Sequence, residues 1–200
     1  FTLHPGEQVR TPLMVLQWYR GEPIRAQNVF RRWMVAHNIP RPGGELPPPH
    51  HAACSSHQFA EMIKADEASQ IQFVDGYLDH GLKLDYWWMD AGWYVNEWGW
   101  PNTGTWEVDE KRFPRGLRAI TDHARSRDVK SIVWFEPERV TPGTWLWDNH
   151  PEWLLGTDGG NRVLNLGDPE AWQWLTDHID KVITQQGIDL YRQDHNIDPL

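Results

Sequence analysis

Apolar residues along this chain change their spacing several times, and each change marks a new element. Leu13–Tyr19 (LMVLQWY) follows the turn-like His4-Pro5-Gly6 and predicts a strand. Glu22–Asn38 sets Val29, Phe30, Trp33, Met34 and His37 at helical spacing, alongside Arg25, Arg31 and Arg32, and predicts a helix. Arg41–Pro49 (RPGGELPPP) then interrupts regular structure, because its prolines lack donors and its glycines favour turns. Residues 1–40 therefore read as the close of one domain, 41–49 as a linker and 50–200 as a second domain.

Beyond the linker, strand and helix patterns alternate. His51–Cys54 is a short strand candidate. Asp66–His80 predicts a helix, with Asp66 as N-cap, Ala68, Ile71, Val74 and Leu78 on one face, and Gly81 as its stop. Leu84–Asp90 (LDYWWMD) is nearly continuous in apolar character, as expected of a strand covered on both faces. Pro114–Arg127 predicts a helix carrying Leu117, Ile120 and Ala124 inward, and Lys130–Glu136 (KSIVWFE) a second buried strand. Asp168-Pro169-Glu170 supplies an N-cap, an N1 proline and an early acid, so a helix runs to Gln186 with Leu175, Ile179 and Val182 at the core. Gly187 ends it, and Ile188–Asp194 (IDLYRQD) is the last strand.

Four strands alternating with helices imply a parallel sheet, either doubly wound or closed into a barrel. No glycine-rich phosphate loop follows any strand, which disfavours a nucleotide-binding open sheet. Polar and aromatic clusters instead follow the strands, at Asp90–Trp93, Glu136–Arg139 and Asp194–Asn196. Barrel enzymes keep their active sites on that face. The pattern predicts the first four strands of a (β/α)8 TIM barrel. With no initiator methionine and an ending just after a strand, the chain reads as a piece of something longer.

Composition narrows the chemistry. Nineteen Lys and Arg against 28 Asp and Glu give a formal net charge of -9, which argues against nucleic acid or an anionic membrane as partner. The single cysteine, Cys54, excludes an internal disulfide and a multi-cysteine zinc site. No apolar run approaches the ~20 residues of a membrane span. Fourteen tryptophans suit either stacking on sugar faces or the filling of a large core.

Asp194 is the foremost candidate for chemistry. It ends an apolar strand in Tyr-Arg-Gln-Asp-His-Asn, where a carboxylate can attack an anomeric carbon beside Arg192. It can equally pair with Arg192 or cap a turn. Asp90, in Trp-Trp-Met-Asp-Ala-Gly-Trp-Tyr, is suited to sugar hydroxyls or to capping a turn through Gly92. Glu136 and Glu138 are close enough for acid/base work; alternatively Glu136 orients neighbours and Glu138-Arg139 forms a solvated ion pair. His50-His51 and the scattered histidines lack ligand spacing and read as structural, so no metal site is expected. No G-x-S-x-G elbow supports serine hydrolase chemistry.

Four stretches together resemble the melibiase-type α-galactosidases, glycoside hydrolase family thirty-six. They are Asp85–Tyr94 (DYWWMDAGWY), Lys111–Leu117 (KRFPRGL), Ile132–Val140 (IVWFEPERV) and Ile188–Asn196 (IDLYRQDHN). Ala26-Gln27-Asn28 and Arg31-Arg32-Trp33 resemble the end of that family's N-terminal β-sandwich. The resemblance implies a retaining α-glycosidase with Asp194 as nucleophile, Arg192, Asn196 and Trp134 as sugar-binding positions, and the acid/base residue beyond residue 200. It implies an α-galactoside oligosaccharide or glycoconjugate as substrate and no metal or organic cofactor, and it leaves room for a homo-oligomeric parent. Two departures touch sugar recognition. The paired second-strand aspartates are here Asp90 and Ala91, and the usual Lys-Trp-Asp-Met-Asn is Arg192-Gln193-Asp194-His195-Asn196. An α-N-acetylgalactosaminidase, another α-glycosidase of the fold, or a non-catalytic sugar-binding homologue are the alternatives.

Overall fold

The computed structural model describes residues 2–96, 102–156 and 160–197. The chain divides into two compact units, Phe1–Pro49 and His50–Leu200. The first contains one helix, α1 (Pro23–His37), which starts on a proline at its first turn and buries none of its residues. A single 3-10 turn at Pro42–Gly44 follows. The strand predicted over Leu13–Tyr19 does not form. A strand is held by a neighbour's hydrogen bonds, and among the described residues nothing pairs with this segment, whose Leu13, Met14, Leu16 and Trp18 are exposed.

The second unit is built on a four-stranded parallel sheet: β1 (Ala52–Cys54), β2 (Tyr86–Met89), β3 (Lys130–Phe135) and, later in the chain, β7 (Leu190–Gln193). Between β1 and β2 lie the one-turn helix α2 (Ser56–Phe59) and the longer α3 (Glu67–Asp79). Asp66 and Ser69 close a reciprocal capping box at the start of α3. Its core positions are Gln70 and Val74. Gln70 was not among the apolar positions of the predicted face. It is buried because its amide bonds the Ser55 hydroxyl at 2.7 Å and accepts the Trp87 indole N–H at 3.1 Å.

Between β2 and β3, α4 (Arg118–Ser126) begins four residues later than its sequence pattern suggests. Gly116 is left-handed, with φ +69°, so the helical backbone cannot start until the chain has passed it. After β3 comes a small antiparallel sheet that the periodicity did not reveal: β4 (Arg139–Val140), β5 (Leu154–Leu155) and β6 (Arg162–Leu164), in the order β4-β6-β5, with α5 (Trp145–Asn149) preceding β5. The long α6 (Pro169–Gln186) then leads to β7, capped by Asp168 through the Glu170 and Ala171 N–H groups and ended by left-handed Gly187.

Strand order β1-β2-β3-β7 is the order of the chain. Helices α3, α4 and α6 follow one another along the same side: Arg127, the C-cap of α4, bonds Asp75 and Asp79 of α3, and Thr121 of α4 bonds the Gln186 carbonyl. A doubly wound sheet would send helices to both faces; this one winds in a single direction, as barrels do. Trp87, Met89, Val133 and Phe135 point to the helices and are fully buried with Val74, Ile120 and Ala124. A second core, around Leu146, Trp153, Leu164 and Leu175, joins the small sheet to α6.

Candidate active site

Side chains alternate along a strand, so the residues on the other sheet face follow from the register. Trp88, Ile132 and Leu190 share one layer. The next layer carries Trp134 opposite Arg192, and the strands then end at Asp90, Glu136 and Asp194 on the same face. The Asp194 N–H donates to the Phe135 carbonyl at 2.8 Å, which fixes the residue just past β7.

Asp194 is surrounded by donors. The Trp134 indole N–H reaches Oδ2 at 2.9 Å, Arg192 Nη1 lies 3.4 Å from the same oxygen, and the His195 N–H donates to Oδ1 at 2.9 Å. The Trp134 bond foremost, with Asn196, His195 and Arg192 adding to it, pulls the Asp194 carboxyl down to about 2 against its partial burial. Arg192 is itself held over the Trp88 ring, 4.7 Å from the centroid. Trp134, Arg192 and Asn196 are thus brought around Asp194 as a set.

Asp90, next to Trp134 in the strand register, has other partners. Its Oδ2 accepts the Ser56 hydroxyl at 3.1 Å and its Oδ1 the Ala91 N–H at 3.0 Å. The turn after it is tight: Gly92 has φ +96°, and a Cβ there would meet the Ile63 backbone nitrogen at 2.9 Å. Both functions weighed for Asp90 are therefore compatible with its place, since it holds the turn and leaves oxygen lone pairs free.

Glu136 and Glu138 do not form a pair. Glu136 is fully buried; one oxygen is ion-paired with buried Arg139 and the other accepts the Asn196 N–H at 2.5 Å. With both oxygens engaged and no solvent access it is an orienting group for the chain after Asp194. Glu138 accepts the Gln193 amide at 2.8 Å. The solvated Glu138-Arg139 pair is replaced by a buried Glu136–Arg139 pair, because the turn after β3 points Arg139 inward. The tryptophans divide similarly: Trp87, Trp93 and Trp106 fill the core, while Trp88 and Trp134 serve the strand ends.

Two residues escaped the sequence reading. Glu61, in the loop from α2 to α3, feels the charges of both Asp90 and Asp194; burial first, then those two charges, raise its pKa. Arg112 bridges the loops: its guanidinium bonds Asp109 at 2.7 Å, the Met62 and Ala65 carbonyls at 2.5 and 3.1 Å, and the Gly92 and Tyr94 carbonyls at 2.6 and 3.1 Å. A cavity of about 990 Å³ lies on the flank by Lys111, Arg118 and Lys181 and includes none of the strand-end residues. Among the described residues no group of three or more His, Cys, Asp or Glu is placed to hold a metal ion.

A family model described as Melibiase matches residues 61–198. Alpha-galactosidase 2 of Pediococcus pentosaceus is 30% identical over 202 aligned positions, covering 97% of this chain and 27% of its own length. Among solved structures, the GH36 alpha-galactosidase AgaA of Geobacillus stearothermophilus, in a substituted form complexed with stachyose, superposes with a TM-score of 0.68 at 16% identity. It covers 82% of this chain and 24% of that one. The alpha-galactosidase of Lactobacillus brevis gives a TM-score of 0.63 at 21% identity, over 72% of this chain and 20% of its own. The chain therefore spans about a quarter of the length of such relatives, and its parallel sheet is the first half of a (β/α)8 barrel.

Proposed function

Because this chain belongs to the melibiase family, we propose that it carries the nucleophile of a retaining α-galactosidase, with Asp194 forming the covalent glycosyl-enzyme. In this reading residues 1–40 close a β-sandwich domain, 41–49 link it to the barrel, and the acid/base carboxylic acid comes from the parent protein beyond residue 200. One Asp194 oxygen bonds to the anomeric carbon as the bond from that carbon to the leaving oxygen breaks. The acid protonates the leaving oxygen, and water, deprotonated by the same group, then attacks the anomeric carbon and restores Asp194. Net retention requires the two carboxyls to stand about 5–5.5 Å apart.

The observation that supports this most is the state of Asp194. Its carboxyl, pulled down to about 2 by Trp134 and its neighbours, stays ionised at any working pH and is ready to attack without prior proton transfer. Arg192, Asn196 and Trp134 are the sugar-binding residues around the nucleophile, Trp134 also orienting it through its indole N–H, and Asp90 accepts from sugar hydroxyls on the neighbouring strand. The substrate is a terminal α-galactoside of an oligosaccharide or glycoconjugate.

The test is made on the full-length parent protein. Asp194→Ala should lower kcat on an aryl α-galactoside by several orders of magnitude. Added azide should partly restore turnover and give a galactosyl azide of inverted configuration, since the small anion occupies the space of the lost carboxylate. Near-wild-type activity of the variant overturns the assignment.

A further inference from the structure

We propose that Glu61 is a further substrate-binding residue, a second hydroxyl acceptor that works beside Asp90 and sets sugar preference. The inference rests on the reading of these strand ends as a galactoside site, and it concerns a residue that no motif in the chain pointed to.

Backbone hydrogen bonds bring together the two segments that carry Glu61 and Asp90. Ala60 and Glu61 are both left-handed, with φ 49° and 64°, a conformation that residues other than Gly, Asn and Asp rarely adopt, and here two adopt it in succession. The double turn ends α2 and redirects the chain towards the end of β2. It is held on both sides: the Glu61 N–H donates to the Ser56 carbonyl at 2.9 Å, and the Met62 N–H to the Ala91 carbonyl at 2.7 Å. Ser56 also gives its hydroxyl to Asp90 Oδ2 at 3.1 Å. One residue therefore ties the backbone of Glu61 and the carboxylate of Asp90 together, while residues 62 and 91, the next along each segment, are directly bonded.

Asp90 and Asp194 both repel the charge of Glu61, and it is partly buried. Other carboxylates in this unit have evident partners: Glu67 has Arg115, Glu136 has Arg139, and Asp194 has Trp134 and Arg192. Among the described residues no side chain donates to the Glu61 carboxyl. A strained backbone that carries a partly buried carboxylate within reach of two other negative charges gives the fold nothing in return, and such arrangements belong to sites whose ligand completes them. A hexose ring between Asp90 and Glu61 would supply the missing hydroxyl donors to both.

The test compares Glu61→Gln and Glu61→Gly in the full-length protein. Glycine accepts the left-handed backbone and glutamine removes the repelled charge, so both variants should melt no lower than wild type. Each should nevertheless lose at least ten-fold in kcat/KM on an aryl α-galactoside, with the inhibition constant for free galactose raised and the preference for α-galactoside over α-glucoside reduced. A merely structural residue would not separate stability from sugar preference in this way. Wild-type turnover with unchanged galactose inhibition and unchanged preference in both variants overturns this inference alone. A wild-type protein that neither cleaves nor binds α-galactosides overturns it together with the function it rests on.

Discussion

Asp194 and Glu61 stand at the same end of the sheet, yet their surroundings move their proton affinities in opposite directions. Trp134, the largest influence on Asp194, stands opposite Arg192 in the strand register and donates its indole N–H to the Asp194 carboxylate. The linkage has a definite sign. A depressed carboxyl adds stability that is present above its ordinary value of 3.8 and is lost as pH falls from there towards about 2. For Glu61 the raised pKa works the other way, so stability falls as pH rises past the ordinary 4.5. Trp134→Phe removes the main donor and keeps the ring. The Asp194 carboxyl should then move up towards 3.8, and with it the acidic limb of kcat/KM; a carboxyl resonance titrated by NMR reads the shift directly. An unmoved titration would transfer the effect to Asn196, His195 and Arg192. The strand-end positions of Asp194 and Asp90 were legible in the sequence because each follows an apolar run. Glu61 was not, since its left-handed turn is made without glycine or asparagine and leaves no local signal.

Elements rather than single residues explain why the loops at this end keep their shape. Arg112 forks between the α2–α3 loop and the turn after β2, taking four backbone carbonyls and the Asp109 carboxylate. Lysine has the charge but not the planar array of donors. Arg112→Lys should therefore cost about 3–6 kcal/mol of stability, the scale of two lost hydrogen bonds to a charged group, measured as a lower denaturation midpoint. Because Glu61 and Asp90 lie in the two tethered segments, KM should rise as well. A variant as stable as wild type would mean the carbonyls are satisfied by water. Sequence pattern singled out Lys111–Leu117 only through its family resemblance, as a partly buried fork has no periodicity. Helices α3 and α6 were readable from their caps, Asp66 and Asp168, whereas the two- and three-residue strands β4, β5 and β6 are too short for alternation to register. Their positions follow from tertiary bonds, such as the Leu164 N–H to the Glu138 carbonyl at 2.7 Å.

At the scale of the molecule, alternation of strand and helix was enough to give a parallel sheet, the strand-end clusters favoured a barrel, and the common side of α3, α4 and α6 separates it from a doubly wound sheet. That arrangement has a consequence for the 200 residues by themselves. Among the described residues β1 and β7 each have one neighbour, so both edges of the sheet offer unpaired N–H and C=O groups. The helix-covered face is fully buried at Trp87, Met89, Val133 and Phe135, whereas on the other face Leu190 is 40% exposed and Trp88 and Ile132 are only partly covered. Leu13, Met14, Leu16 and Trp18 add further exposed apolar surface in the first unit. Open parallel edges next to uncovered apolar side chains favour pairing between chains. The 200-residue chain made alone should therefore run as a polydisperse associate in light scattering, bind a hydrophobic dye, melt without a sharp cooperative transition, and release no nitrophenol from an aryl α-galactoside. A monodisperse monomer with a single cooperative transition would show that four strands and three helices suffice as a folding unit. Turnover that vanishes in Asp194→Ala would place a second catalytic carboxylate within these residues, and Glu61, already raised in pKa and near Asp194, would be the group to examine first.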